Sequence, residues 1–225
     1  MLSERRYTTF NELTQVLGRL LAEELRAQLA RGPKALLIVP GGTTPAPIFA
    51  ALRETSLPWA RTFVTLCDER WIAPPHADSN ETLVREHLMR GPAQAADFVP
   101  LYRGQAQPSA AIAELSAALA PLPIAQASVL LGMGEDGHFA SLFPHMENLG
   151  AGLDPRGQAP CLAVDAPQKG WPRISLTLSY LCRAPVLHLA FRGQAKHALL
   201  ERGGDLPIHA LLRQEKADIV VHWTE

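Results

Sequence analysis

The sequence predicts an α/β fold: a doubly wound, mostly parallel sheet flanked by helices in a Rossmann-like three-layer arrangement. Three observations carry this expectation. Short apolar runs alternate with stretches of helical periodicity along almost the whole chain, as in successive βαβ units. The apolar runs are short and continuous, as strands buried on both faces are. Two of them end in glycine-rich turns, which is where open α/β sheets bring ligands against the backbone. With 225 residues and no internal repeat, low-complexity tract or long linker, the chain is read as one domain spanning residues 1–225.

The elements follow in order. Thr9-Phe10-Asn11-Glu12 has the form of a capping box. Behind it Leu13, Val16, Leu17, Leu20 and Leu21 recur at helical spacing, continuing to Leu25 and Leu29, and Gly32-Pro33 stops the helix. Ala35 to Val39 is an apolar strand, followed by a turn at Gly41-Gly42 and a helix from Pro45 to about Arg53. Phe63 to Cys67 is the next strand and runs on into Asp68-Glu69-Arg70. A helix from Asn80 to Met89 closes at Gly91-Pro92; a short strand (Phe98 to Tyr102) and an alanine-rich helix (Ser109 to Leu119) come next. Val129 to Leu131 ends a buried parallel strand at a second glycine-rich turn. Residues from His145 to Pro160 read as irregular. Strands are then expected at Cys161 to Val164, Arg173 to Leu176 and Val186 to Phe191, helices at Gln194 to Glu201 and Ile208 to Leu212, and a closing strand at Ile219 to Trp223.

Composition narrows the function classes. Hydrophobic residues make up 47% and charged residues 19%, and the net charge is −1 with 21 Lys and Arg scattered along the chain. No basic stripe marks a nucleic-acid surface, so no nucleic-acid partner is expected, and an anionic ligand must be held by a local site. Cys67, Cys161 and Cys182 are widely spaced and lack a Cys-x-x-Cys pair, which fits a reduced cytoplasmic protein. No run approaches the ~20 apolar residues of a membrane span, and Met1 to Arg6 do not read as a signal peptide.

The most informative stretch runs from Leu130 to Pro144 and contains Gly132-Met133-Gly134-Glu135-Asp136-Gly137-His138. It delivers His138 at the carboxyl end of a buried strand. A histidine there is a candidate general base, because its unperturbed pKa lies near working pH; the alternative is a polar loop histidine. Gly132-x-Gly134-x-x-Gly137 also matches the dinucleotide fingerprint. The acidic residue about 20 positions on would be Asp154, in a Gly/Pro loop and not at a strand end, which argues against NAD.

Val39-Pro40-Gly41-Gly42-Thr43-Thr44-Pro45 lies between a strand and a helix. Thr43 or Thr44 can cap that helix and Pro45 suits its first turn. Bare N–H groups at a helix N-terminus suit a phosphate, although many such turns bind nothing. Asp68 and Arg70 share one face of their strand while Glu69 opposes them. Asp78-Ser79-Asn80 reads as a helix cap, with the Asn80 amide also available to a ligand. His76 and His145 fall near the expected ligand edge; the other histidines sit in ordinary helix or strand positions. No His-x-His or His-Glu-x-x-His spacing indicates a metal, and Ser141 lacks the Gly-x-Ser-x-Gly elbow of a serine nucleophile.

Four ordered segments carry a resemblance: Gly41 to Pro45, Asp68-Glu69-Arg70 with Asp78-Ser79-Asn80, Gly132 to Pro144, and Arg173-Ile174-Ser175-Leu176-Thr177, with Gly193-x-x-Lys196 and Trp223 in support. From about Phe10 to Trp223 the chain resembles the 6-phosphogluconolactonase family, pentose-phosphate-pathway hydrolases in the superfamily shared with glucosamine-6-phosphate deaminase. The resemblance implies a sugar-phosphate lactone substrate, no cofactor, no metal and a monomer. It implies that Gly42, Thr43 and Thr44 hold the phosphate with Lys196 and Arg173, and that His138 draws a proton from the attacking water. Arg70 would stabilise the oxyanion or the product carboxylate, and either Asp68 or Asp136 would orient His138.

This chain departs from the family pattern in four places. Pro40 stands for the usual Ser, Phe139 for the usual Thr, making the wall beside the histidine bulkier, and Trp71-Ile72-Ala73 for Cys-Val-Pro. The short N-terminus is expected to lack an edge strand. The deaminase branch has Asp-Glu-Tyr where Asp68-Glu69-Arg70 stands here, and a carboxylate after the histidine where Ser141-Leu142-Phe143-Pro144 has none. A sugar-phosphate sensor of a transcription regulator would need a DNA-binding module, and one helix before the first strand leaves no room for it.

Overall fold

The computed structural model describes residues 1–165, 170–202 and 204–225. The chain opens with a strand, β1 (Leu2–Arg6), exposed along its length. Sequence reasoning expected no edge strand in so short an N-terminus, and these five mostly polar residues carry no hydrophobic alternation that would signal one. An outermost strand needs only one paired side, so backbone hydrogen bonds to a buried neighbour hold it without a hydrophobic face. Helix α1 (Phe10–Arg31) starts at the predicted cap: Thr9 Oγ1 accepts from the Glu12 N–H at 3.1 Å, and Glu12 Oε2 accepts from the Thr8 N–H at 2.9 Å. Its apolar stripe, Leu13, Leu17, Leu21 and Leu25, is fully buried.

Strand β2 (Ala35–Val39) is buried at every position and leads into α2 (Pro45–Arg53). There follow β3 (Thr62–Leu66), β4 (Asp68–Arg70), α3 (Asn80–His87), β5 (Asp97–Val99), α4 (Ile112–Leu119) and β6 (Ser128–Leu131). The segment expected to be irregular contains a short helix, α5 (Leu149–Leu153). The remainder is β7 (Cys161–Val164), β8 (Arg173–Leu176), α6 (Leu178–Leu181), β9 (Val186–Arg192), α7 (Gln194–Glu201), α8 (Pro207–Arg213) and β10 (Asp218–Thr224).

Among the described residues the strands make two sheets. The larger has seven strands in the order β1-β10-β9-β6-β2-β3-β5, and every pair in it is parallel. From β2 the chain winds outward through β3 to β5, then returns to β6 on the other side of β2 and winds outward through β9 to β10. Neighbours β2 and β6 therefore mark the switch point of a doubly wound sheet, the crevice where such folds bind ligands. A contiguous hydrophobic core joins α1, the central strands and the helices around them.

The second sheet, β4-β8-β7, is antiparallel. Sequence reasoning ran Asp68-Glu69-Arg70 on from the preceding strand and gave no separate sheet to the strands at 161 and 173. The turning point is Cys67: its N–H still donates to Val39 O at 2.9 Å, while its C=O accepts from the Leu176 N–H at 2.8 Å. The chain thus leaves the parallel sheet and pairs with β8 above its carboxyl edge.

Candidate active site

The loops after β2 and β6, strands β4 and β8, and the start of α7 enclose a cleft of about 230 Å³ at the switch point. Gly42, Thr43, Thr44, Asp68, Arg70, Asn80, His138, Arg173 and Lys196 all line it. Asp136 does not line it and instead contacts His138.

The loop after β2 turns at Gly42 with φ of +89°, a conformation that favours glycine. The expected threonine cap is not formed. Thr44 occupies the cap position with helical dihedrals and no side-chain hydrogen bond to the helix. Pro45 fills the first helical position, so the Gly42–Thr44 segment faces the cleft beside the positive end of the α2 dipole. On the opposite wall, Lys196 in the first turn of α7 donates to Met133 O at 2.7 Å, which brings its ammonium against the β6 loop.

That loop is a tight turn. The Gly134 N–H donates to His138 O at 2.9 Å, and Gly137, at φ of +79°, donates back to Gly134 O at 3.2 Å. A Cβ on Gly134 would lie 2.2 Å from the His138 ring, so only glycine lets the imidazole fold over this turn. The α8 N-terminus pins the loop from outside, with the Ile208 N–H on Gly137 O at 2.9 Å. His138 Nδ1 lies 2.5 Å from Asp136 Oδ1, and the same oxygen accepts from the His138 backbone N–H at 3.2 Å. Burial alone would raise the Asp136 carboxyl; the hydrogen bond and charge of His138 outweigh it and hold Asp136 below the ordinary aspartate value. An Nδ1–H donated to Asp136 leaves the Nε2 lone pair free.

Asp68, the other carboxylate expected to orient the histidine, is engaged elsewhere. Its Oδ2 accepts from Ser141 Oγ at 2.6 Å and lies 3.8 Å from Arg173 Nη1. Arg70 and Arg173 stand directly opposite each other in the β4–β8 ladder. Like charges in that arrangement repel, so the pair favours a bound anion. Burial, partly offset by the charge of Asp68, lowers the Arg173 pKa, and neighbouring Arg70 lowers it further. Arg70 Nη1 donates to Asn80 Oδ1 at 2.7 Å and to Asp78 O at 2.9 Å. The Nε atoms of both arginines are buried without a protein partner among the described residues. Ser79, not Asn80, caps α3 through the Thr82 N–H, which frees the Asn80 amide to turn inward.

Sequence reasoning missed several contributors. Ser141, set aside as a nucleophile, is fully buried and bridges Asp68 to the β6 loop. Phe143 packs its ring 4.4 Å from His138, and the Arg173 guanidinium stands over the same ring at 5.1 Å. Both lie in the stretch that carries His138, which was the available signal. Phe139, expected to wall the site, is instead fully buried in the core, and Ala140, at φ of +48°, lines the cleft in its place. His76 interacts with Asp78 and Trp171, and His145 does not line the cleft. Among the described residues no cluster of three or more His, Cys, Asp or Glu could hold a metal ion, and no helix is long and apolar enough to cross a membrane.

Comparison with known proteins agrees with this architecture. Residues 8–221 match the family model described as glucosamine-6-phosphate isomerases/6-phosphogluconolactonase. A 6-phosphogluconolactonase of Pseudomonas aeruginosa is 40% identical over 222 residues, covering 94% of this chain and 90% of that protein. One from Caulobacter vibrioides is 39% identical over 219 residues, covering 95% and 94%. The crystal structure of a 6-phosphogluconolactonase from Shewanella baltica superposes with a TM-score of 0.95 at 32% identity, covering 100% of this chain and 98% of that one. With a switch-point cleft in the same fold and a family match over nearly its whole length, the chain belongs to the glucosamine-6-phosphate isomerase/6-phosphogluconolactonase family.

Proposed function

We propose that the chain is a lactone hydrolase of the oxidative pentose phosphate pathway, converting 6-phospho-D-glucono-1,5-lactone to 6-phospho-D-gluconate. The observation that carries this reading is the Asp136–His138 pair, held at 2.5 Å at the mouth of a cleft whose other walls carry Lys196, Arg70, Arg173 and the Gly42–Thr44 segment. The relatives that share most of their length with this chain bear the name 6-phosphogluconolactonase.

In this reading the phosphate lies on the N–H groups of Gly42, Thr43 and Thr44, with Lys196 and Arg173 supplying charge. Charge-assisted contacts of this kind anchor the end of the substrate remote from the chemistry. Asp136 fixes the His138 ring so that Nε2 takes a proton from water as the oxygen attacks the lactone carbonyl. Arg70, steadied by Asn80, stabilises the oxyanion. The intermediate collapses by breaking the bond to the ring oxygen, which receives the proton back from His138, leaving a hydroxyl and a carboxylic acid that gives up its proton to solvent. A positioned base contributes roughly 10²–10⁴ in rate, and an oxyanion donor ~10²–10³. A δ-lactone is already activated, so the scheme calls for neither a covalent nucleophile nor a metal. Asp68 holds Ser141 and Arg173 in register. We further infer one domain over residues 1–225, which the contiguous core supports, and no nucleic-acid partner, which the net charge of −1 supports. A monomer follows from the family resemblance, and a cytoplasmic location from three widely spaced cysteines without a Cys-x-x-Cys pair.

The test is hydrolysis of freshly generated 6-phosphoglucono-δ-lactone against its spontaneous background, with unphosphorylated gluconolactone alongside. Fast turnover confined to the phosphorylated lactone is expected. No rate above background, with ammonia released from glucosamine 6-phosphate, would move the assignment to the deaminase branch.

A further inference from the structure

Glu69 sits between two cleft residues, Asp68 and Arg70, and its own side chain is fully buried on the opposite side of the strand. Its carboxylate accepts from four donors: the N–H groups of Arg70, Asn80 and Glu81, each at 2.7 Å, and Ser79 Oγ at 3.0 Å. Burial pushes its pKa up to about 7, against the pull of those hydrogen bonds.

The helix does not require this carboxylate as its cap, since Ser79 already accepts from the Thr82 N–H. What Glu69 adds is placement. Its two contacts to the first turn of α3 fix where Asn80 stands. Asn80 then donates through Nδ2 to Asp68 O at 2.8 Å and receives Arg70 Nη1 on Oδ1 at 2.7 Å. Asn80 also packs so closely over the phosphate loop that a Cβ on Gly41 would lie 1.8 Å from its Oδ1. A chain of short contacts thus runs from a buried carboxylate to the guanidinium at the reacting end and to the loop at the phosphate end.

We propose that Glu69 is a positioning residue for lactone hydrolysis, setting Arg70 through the first turn of α3 and Asn80. The proposal rests on the lactonase reading of the cleft. A neutral amide at this position turns at least one N–H toward donors that need an acceptor, so the first turn of α3 shifts and carries Asn80 and Arg70 with it. A displacement of about 1 Å at a group acting in the transition state costs on the order of 10² in rate.

The experiment is steady-state hydrolysis of 6-phosphoglucono-δ-lactone by the parent chain, Glu69→Gln, Arg70→Met and the double variant, with thermal melts of each. The expected result is a kcat for Glu69→Gln lowered by roughly 10–10², with KM little changed. In the Arg70→Met background the same substitution should cost almost nothing further, because the group it positions is gone. An unchanged kcat, or an equal fall in both backgrounds, would overturn the proposal, since a purely structural role is additive. If Glu69→Gln does not fold, Glu69→Asp decides. It keeps the carboxyl group but withdraws it by one methylene, and full kcat in that variant would equally overturn the proposal. A parent chain without turnover would instead sink the lactonase reading, and the positioning role with it.

Discussion

His138 and His222 are the same side chain at opposite ends of the sheet's geometry. His138 rides on the loop beyond β6, its side chain 28% exposed, with Asp136 against one ring nitrogen and the cleft in front of the other. His222 lies inside β10 with no exposure at all. Its Nδ1 is 2.8 Å from Tyr7 Oη, its Nε2 is 3.0 Å from His188 Nδ1, and His188 Nε2 in turn is 2.8 Å from Glu24 Oε1. If Glu24 accepts from His188, each group in the row donates to the next, from Tyr7 through His222, and no ring need be charged. Burial, reinforced by the repulsion that a charged His222 ring would meet from His188 and Arg5, pushes the His222 pKa down to about 3. A histidine between strands becomes a neutral hydrogen-bonding strut tying α1 to β9 and β10. A histidine past the carboxyl edge, given an aspartate and a route to water, is equipped to move protons. The residue type alone predicts neither outcome.

The sharpest way to break this contrast is to remove each ring in turn. His138→Ala should lower kcat for the phosphorylated lactone by about 10²–10⁴ while leaving the thermal midpoint almost unchanged. Retained turnover would end the general-base assignment. His222→Phe should do the reverse. It leaves Tyr7 and His188 with unmet polar atoms in the core and is expected to cost about 2–4 kcal/mol in urea unfolding. Turnover per folded molecule should not change, and a large loss of kcat in fully folded protein would mean that the two histidines are coupled.

Titration sharpens the same comparison. The folded pKa of His222, about 3, lies below its ordinary 6.5, so between those values the unfolded chain binds more protons. Its contribution is complete above about pH 6.5 and declines as pH falls toward 3, by up to ~1.4 kcal/mol per pH unit. Glu69 works in the other direction. Raised from 4.5 to about 7, it favours the folded state at low pH and loses that contribution as pH rises through 7. The His222 slope should therefore stand out most clearly below pH 4.5, and its absence from the parent-minus-His222→Phe difference would contradict the buried-strut description. The smallest expected effect is at the rim of the site. Lys196→Ala should raise KM by about tenfold with little change in kcat, as loss of one charge-assisted contact remote from the reacting carbon would. An unchanged KM would take Lys196 out of the phosphate site.

Much of the cleft was legible because its residues announce themselves locally. Glycines at a strand end, a histidine six residues beyond Gly132 and a proline-opened helix after Gly41-Gly42 are short-range signals that need no partner to be recognised. Other features were not legible for the complementary reason. Glu69 reads as one acid among three consecutive charged residues, and only the approach of α3 reveals that four donors converge on it. Strand β1 has no hydrophobic pattern, and its existence depends on β10, more than 200 residues further along the chain.

By itself, the sequence determined the alternation of strands and helices, the continuous apolar runs that require burial on both faces, and the order of the chemistry-bearing segments. These rest on local periodicity and turn chemistry, which act over a few residues. Only the tertiary structure decided that Asp68-Glu69-Arg70 leaves the parallel sheet to pair with β8, and that Asp136, not Asp68, hydrogen-bonds His138. It also decided that Phe139 turns into the core. Each of these depends on which of several competing partners comes within about 3 Å, the range at which a hydrogen bond forms. That distance is set by packing between segments far apart in the chain.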